Sequence, residues 1–198
     1  PAYKRVAEDA ERKPFEDAWG VKLPAKPGLT IPKIIDGAAE GTIKALYVMG
    51  ENPMMSDPDT AHVEKALKNL DLFIVQDIFR NETADLAHVV LPSSAWAEKE
   101  GTFTNTERRV QRVRKAVEAP GEARDDWEII TGIANRMGAG WKYESARAVF
   151  EEVARVTASY AGITYDRIEW KGLQWPCPTT EHPGTAILHS AAFTREIG

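Results

Sequence analysis

Cysteine is almost absent from this sequence: Cys177 is the one instance in 198 residues. That excludes an intrachain disulfide, a Cys-rich zinc site and any iron–sulfur cluster built within this chain. Positive charge is not in excess either. Lys plus Arg is 25 against 30 for Asp plus Glu, a net charge of −5. Mild acidity argues against a dedicated DNA- or RNA-binding surface. No apolar run approaches the roughly 20 residues of a membrane span, and no secretory signal pattern is visible. Internal repeats and low-complexity tracts are missing as well. So are a serine elbow, a P-loop, a zinc-protease helix and the Rossmann glycine pattern. The four histidines (His62, His88, His182, His189) have no metal-ligand spacing. What is present is a chain that is 43% hydrophobic, enough to bury a sizeable core in one domain with an appendage.

Three stretches are expected. Residues 1–40 are a peripheral helix, with Val6, Ala10 and Phe15 on one face, ending at Gly20. A Pro-rich connector over 21–33 follows, then a short helix at Ile34, Ile35, Ala38 and Ala39. Residues 41–140 form the core. Apolar runs at Ala45–Met49, Leu72–Val75 and His88–Leu91 are continuous rather than alternating, which suits parallel strands covered on both faces. Between the first two, Val63, Ala66, Leu67 and Leu70 repeat at helical spacing, started by Asp57 or Asp59. Strand, helix, strand, short helix, strand is an α/β fold: a doubly wound, mainly parallel sheet flanked by helices. Residues 93–115 are polar and irregular, with a strand at Val110–Val113. A helix over Ile129–Met137 closes the core at Gly138. Residues 141–198 are a helix over Ala146–Val156 and an irregular Trp/Pro-rich tail packed on the core.

Ligands of an open parallel sheet bind beyond the carboxyl ends of its strands. Gly50-Glu51-Asn52-Pro53 ends the first strand and Gln76-Asp77 the second. Glycine permits close backbone approach, Asn52 offers donor and acceptor, and a carboxylate at Asp77 matches the adjacent N–H donors of guanine. Alternatively, Asp77 caps the Ile78–Asn81 turn. The loop from Ala97 to Arg109 is a second candidate, with Lys99, Arg108 and Arg109 able to meet phosphates, or else a solvated charged loop. Asp125 and Asp126 precede Trp127 at a helix start, where capping is the default role. Cys177 is expected to be a buried structural thiol.

At these motifs the chain resembles the catalytic (alpha) subunit of molybdenum- or tungsten-dependent formate dehydrogenase, in the molybdopterin oxidoreductase superfamily. The resemblance covers essentially the whole chain and is strongest from Gly41 to Gly138. It rests on Ala45–Pro53, Val75-Gln76-Asp77-Ile78-Phe79, Thr83-Ala84, Val89–Pro92, Glu98–Gln111, Asp126-Trp127-Glu128-Ile129 and Trp175-Pro176-Cys177. It implies an α/β region holding one guanine dinucleotide arm of a bis(molybdopterin guanine dinucleotide) molybdenum or tungsten cofactor. Gly50, Glu51 and Asn52 then meet phosphate or ribose, Gln76 and Asp77 the guanosine end, and Lys99 and Asp126 add polar contacts. No catalytic residue and no metal ligand is assigned. The family's 4Fe-4S segment, metal ligand and closing β-barrel have no counterpart here, so the chain is expected to be a fragment, inactive alone and without tightly bound cofactor. The parent reaction is two-electron oxidation of formate to carbon dioxide. Implied partners are the remaining domains of the subunit, electron-transfer subunits and formate, with no nucleic acid and no membrane span. The implied location is cytoplasmic, with a periplasmic parent left open. Two alternatives stand: another molybdopterin oxidoreductase such as nitrate reductase, or a non-catalytic module like the large iron–sulfur subunit of NADH dehydrogenase.

Overall fold

The computed structural model describes residues 4–190. In chain order the elements are α1 (Asp9–Trp19), α2 (Ile31–Ala39), β1 (Ala45–Met49), α3 (Pro53–Ser56), α4 (Thr60–Lys68), β2 (Leu72–Asp77) and β3 (Val89–Pro92). Then come β4 (Gly101–Thr104), β5 (Arg109–Val113), α5 (Asp126–Arg136), α6 (Ala146–Val156) and β6 (Leu173–Gln174). They group into two units, Gly28–Lys99 with Ala116–Trp141, and 1–27 with Glu100–Lys115 and Lys142–Gly198. This grouping cuts the chain at other places than 41 and 140, because β5 pairs with β4 on one side and with the distant β6 on the other. The ends of the sequence, 1–3 and the last part of the expected tail, 191–198, lie outside the described residues.

The first unit is the α/β layer. β1, β2 and β3 form a parallel sheet in that order. Tyr47 lies opposite Ile74, and Ile74 opposite Val89, so the strands share one register. Leu46, Val48, Phe73 and Val75 face Ile35 and Ala38 of α2 and Val63, Ala66 and Leu67 of α4. Val63, Leu67, Phe73 and Val75 have no accessible surface, and burying each contributes about 1.5–3 kcal/mol. Helix α4 starts at Asp59, whose carboxylate accepts the His62 N–H at 3.1 Å. Helix α2 starts earlier than the expected connector allows. Pro32 sits in its first turn, where a missing N–H costs nothing. The expectation of strands covered on both faces is not met. Tyr47, Met49, Leu72 and Val89 are 40–49% exposed.

The second unit is built on an antiparallel hairpin that the sequence analysis read mostly as loop. β4 pairs with β5, turning through Arg108, whose φ is 68°. Polar Thr102, Thr104 and Arg112 hide this hairpin from hydrophobic patterning. Val110 is nevertheless fully buried, among Phe150, Tyr160, Ile163, Tyr165, Ile168 and Cys177. Cys177 is a free, buried thiol, as expected. Arg167 Nη1 lies 3.3 Å from its sulfur, and Arg167 also donates to the carbonyls of Thr179 and His182. The tail is thus tied down by a guanidinium rather than by apolar packing alone.

Candidate functional site at the carboxyl edge of the parallel sheet

β1 and β2 end side by side, which brings Gly50, Glu51, Asn52, Gln76 and Asp77 to one edge. Gly50 leaves β1 with φ 64°, a left-handed turn that L side chains rarely adopt. Its N–H donates to Gln76 O at 2.9 Å, which joins the two strand ends. No atom lies within 4 Å of where a Gly50 Cβ would stand, so the backbone there faces open space. Glu51 is exposed beside it.

Asn52 is held by neighbours. Its Oδ1 accepts from the Thr83 hydroxyl at 2.6 Å, and its Nδ2 donates to Glu82 at 2.8 Å. Thr83, fully buried, also accepts the Met54 N–H at 3.1 Å. One N–H of the Asn52 amide is left free. The Asn52 amide, its largest influence, holds the Glu82 carboxyl below the usual carboxylate range.

Gln76 differs from its neighbours in having no accessible surface. Its Oε1 accepts from the Tyr47 hydroxyl, and its Nε2 donates to Asp126 Oδ1 at 2.6 Å. Burial, with the Asp126 charge second, pushes the Tyr47 phenol up, so it stays a donor throughout the neutral range. Lys99 donates to the other Asp126 oxygen and to Ser94 O. Ser94, also fully buried, donates from its hydroxyl to Asp125 at 2.7 Å. Four residues that stand apart in sequence therefore form one chain: Tyr47, Gln76, Asp126, Lys99. It anchors the start of α5 to the segment that follows β3.

This corrects the default reading of the two aspartates. Asp125 occupies the N-cap of α5 but makes no side-chain capping bond. Both carboxylates are instead turned onto side chains of the strand-end loops. Asp77 does what a turn cap does: Oδ1 accepts the Ile78 N–H at 2.7 Å and Oδ2 accepts from Asn81 at 3.0 Å. Each oxygen keeps a second lone pair, and the side chain is half-buried, so capping leaves it open to a ligand. Arg108 and Arg109 do not join this edge. Arg108 donates to the carbonyls of Trp175, Thr185 and Ala186, and Arg109 to Glu107 and Lys171 O. Their charges serve the second unit.

Tyr47, Thr83 and Ser94 escaped the sequence analysis. Ser94 had a signal, since it stands directly after β3 at the same strand-end level. Thr83 and Tyr47 had none beyond their place in the motifs. Along α5 a groove of about 400 Å³ is lined by Leu91, Pro92, Ile129 and Ile133, with charges of both signs from Glu122, Arg124, Glu128 and Arg136. Among the described residues, no group of three His, Cys, Asp or Glu is placed to hold a metal ion, and no helix is long and apolar enough to cross a membrane.

Residues 3–136 match the molybdopterin oxidoreductase family. The chain is 53% identical over 201 residues to the F420-dependent formate dehydrogenase 2 subunit alpha of Methanococcus maripaludis, covering 100% of this chain and 29% of that one. Against formate dehydrogenase H of Escherichia coli it is 41% identical over 202 residues, covering 100% and 28%. Among solved structures, acetylene hydratase from Pelobacter acetylenicus matches with a TM-score of 0.60 at 25% identity, over 83% of this chain and 23% of that chain. The chain spans less than a third of the length of these relatives.

Proposed function

This chain belongs to the molybdopterin oxidoreductase family, and from that premise we propose that it forms the part of a formate dehydrogenase alpha subunit that holds one guanine dinucleotide arm of the pterin cofactor. One observation carries this reading: an open glycine turn, a partly free carboxylate and an ordered Lys–Asp pair come together at the carboxyl edge of a parallel sheet. In such sheets that edge is where ligands bind.

The residues suit the group. Asp77 keeps one lone pair on each oxygen, matching the paired N–H donors on the guanine edge. The Gly50 backbone allows close approach, and the remaining Asn52 N–H serves a phosphate or ribose oxygen. Lys99 supplies positive charge where its partner Asp126 fixes it. Gln76 enters differently from the sequence expectation. With no accessible surface it acts through Tyr47 and Asp126, as a positioning residue. Molybdenum or tungsten on two such dinucleotides supplies the redox centre when bound, and the protein's part is to bind and orient it. The 4Fe-4S centre and the metal ligand belong, on this reading, to other parts of the subunit, and the chain alone does not oxidise formate.

The acetylene hydratase likeness shows that the fold serves more than one named activity. Sequence identity favours formate: 53% to the methanococcal formate dehydrogenase subunit against 25% to the hydratase. Titration calorimetry with GDP and ADP tests the cradle. GDP binding stronger than ADP binding is expected. Asp77→Ala should weaken GDP roughly 10- to 100-fold, the worth of a charge-assisted hydrogen bond, and erase the preference. Equal binding of both nucleotides, no binding, or an unaffected Asp77→Ala protein would overturn it.

A further inference from the structure

A carboxylate that reads the edge of a base has to hold its plane. The last torsion of an aspartate is soft and nearly two-fold, so a free carboxylate swings through a wide arc. Asp77 is clamped at both oxygens instead. Its Oδ1 accepts the main-chain N–H of Ile78 at 2.7 Å, and its Oδ2 accepts from the Asn81 side chain at 3.0 Å. The first bond is local to the turn and asks for no particular side chain at 78. The second depends on an amide at 81.

Asn81 is itself locked. Its Oδ1 accepts the Ala84 N–H at 2.9 Å, and its main-chain carbonyl accepts the Asp85 N–H at 3.0 Å. The Ala84 N–H decides which end of the amide is which: oxygen toward Ala84, nitrogen toward Asp77. Turning the amide over would lose both bonds. The negative charge of Asp77 is also kept for use. Arg80, the cation nearest to it in the chain, is paired with Asp85 at 2.6 Å, and the two bonds that clamp Asp77 come from neutral groups. Orientation is thus fixed while each carboxylate oxygen retains a lone pair.

Two clamps matter for one class of ligand. A single donor meets a carboxylate over a broad range of angles. Two parallel donors on a rigid group meet both oxygens only when the two planes agree, as in the bidentate pairing of a guanidinium. We propose that Asn81 is a positioning residue that sets the plane of Asp77, and that it thereby lets the strand-end site separate a base with two adjacent N–H donors from a base with one. The proposal rests on the reading of this edge as a guanine nucleotide cradle. It goes further by naming the group that makes the carboxylate selective among purines. Asn81 acts only through Asp77.

Calorimetry with GDP, IDP and ADP on the 198-residue chain tests it. Guanine offers a ring N–H and an exocyclic amine, hypoxanthine the ring N–H alone, and adenine lacks that ring N–H. The unaltered chain should bind GDP roughly 10-fold or more tightly than IDP, the worth of one hydrogen bond to a charged group. Asn81→Ser keeps an acceptor for the Ala84 N–H, since serine caps about as well as asparagine, but its side chain stops short of Asp77. The GDP-to-IDP ratio should fall to about threefold or less. The preference for GDP over ADP should survive, because Asp77 still offers a charged acceptor to the ring N–H. Asn81→Ala removes the acceptor as well. It should show the same reduced ratio with a lower Tm than Asn81→Ser, so that selectivity and stability move separately. An unchanged GDP-to-IDP ratio in Asn81→Ser, with GDP still preferred to ADP, would overturn this proposal and leave the cradle standing. So would a ratio that falls only in Asn81→Ala, in step with Tm. GDP bound no better than ADP by the unaltered chain would overturn the cradle, and this proposal with it.

Discussion

Gln76 provides the sharpest test of how the strand-end site is built. Gln76→Met keeps the length and removes both polar ends from a side chain with no accessible surface. Two bonds go: the one accepted from Tyr47, and the one donated to Asp126 at 2.6 Å. A neutral bond is worth about 1 kcal/mol and one to a charged group about 1.5–3 kcal/mol. Tyr47 is 40% exposed and finds water, and Asp126 keeps Lys99, so neither partner is stranded. The thioether offsets about 1 kcal/mol by apolar burial. The expected net loss is about 1.5–3 kcal/mol, or a fall in Tm of roughly 3–12 °C for a chain of this size. Thermal unfolding followed by circular dichroism, without any nucleotide, reads it. A double-mutant cycle with Asp126→Asn should return a coupling of about 1–2 kcal/mol. A loss below about 0.5 kcal/mol, or simple additivity, would mean that Gln76 is not a strut between Tyr47 and Asp126.

Two further outcomes concern the packing of the tail and the Tyr47 phenol. A Cβ on Gly162 would stand 1.9 Å from the Thr179 carbonyl oxygen and 2.9 Å from that of Cys177. Both are backbone atoms, so nothing flexible can yield. Gly162→Ala should cost roughly 3 kcal/mol or more, read by urea unfolding, and a near-neutral result would refute the packing of the tail. The Tyr47 phenol is raised by burial and by Asp126, so its contribution to stability is present below pH 10 and lost as pH rises through the higher folded value. Absorbance titration of phenolate should show the Tyr47→Phe protein missing a group that ionises late, above pH 10. If the missing group ionises early, the placement of the Tyr47 phenol in partly buried surroundings near Asp126 does not hold.

What the sequence made legible follows from where hydrophobicity is concentrated. β1, β2 and β3 are continuous apolar runs, and α4 has the Val63–Leu70 spacing, so the parallel layer stands out in advance. The inference that both strand faces are covered failed at Tyr47, Met49, Leu72 and Val89, because an apolar residue records what a surface wants and not what is there to meet it. The β4–β5 hairpin stayed hidden for the opposite reason. Thr102, Thr104 and Arg112, which share the inward face with Val110, are polar, outward Phe103 is exposed, and the turn is made by Arg108 rather than glycine, so on that face only Val110 betrays a buried side. The site shows the same division. Gly50, Asn52, Gln76 and Asp77 are legible because strand ends are. The groups that hold two of them are not: Thr83 for Asn52, and Tyr47 and Asp126 for Gln76, each many residues away.

That division bears on how such an edge can bind anything. A carboxylate, an amide and an ammonium group left free on loops would each lose rotamer freedom on meeting a ligand, at about 0.5–1.5 kcal/mol per side chain. Here that ordering is done during folding. Asp77 is fixed by Ile78 and Asn81, Asn52 by Thr83 and Glu82, and Lys99 by Asp126 and Ser94, while each keeps hydrogen-bonding capacity to spare. On the proposed function, the residues that look self-satisfied are the ones best prepared to bind. Bonds that argue for a purely structural role and bonds that pre-organise a site look the same in the structure. They separate by which side chain retains an unused donor or lone pair together with accessible surface: Asp77, Asn52 and Lys99 do, and the fully buried Gln76 does not.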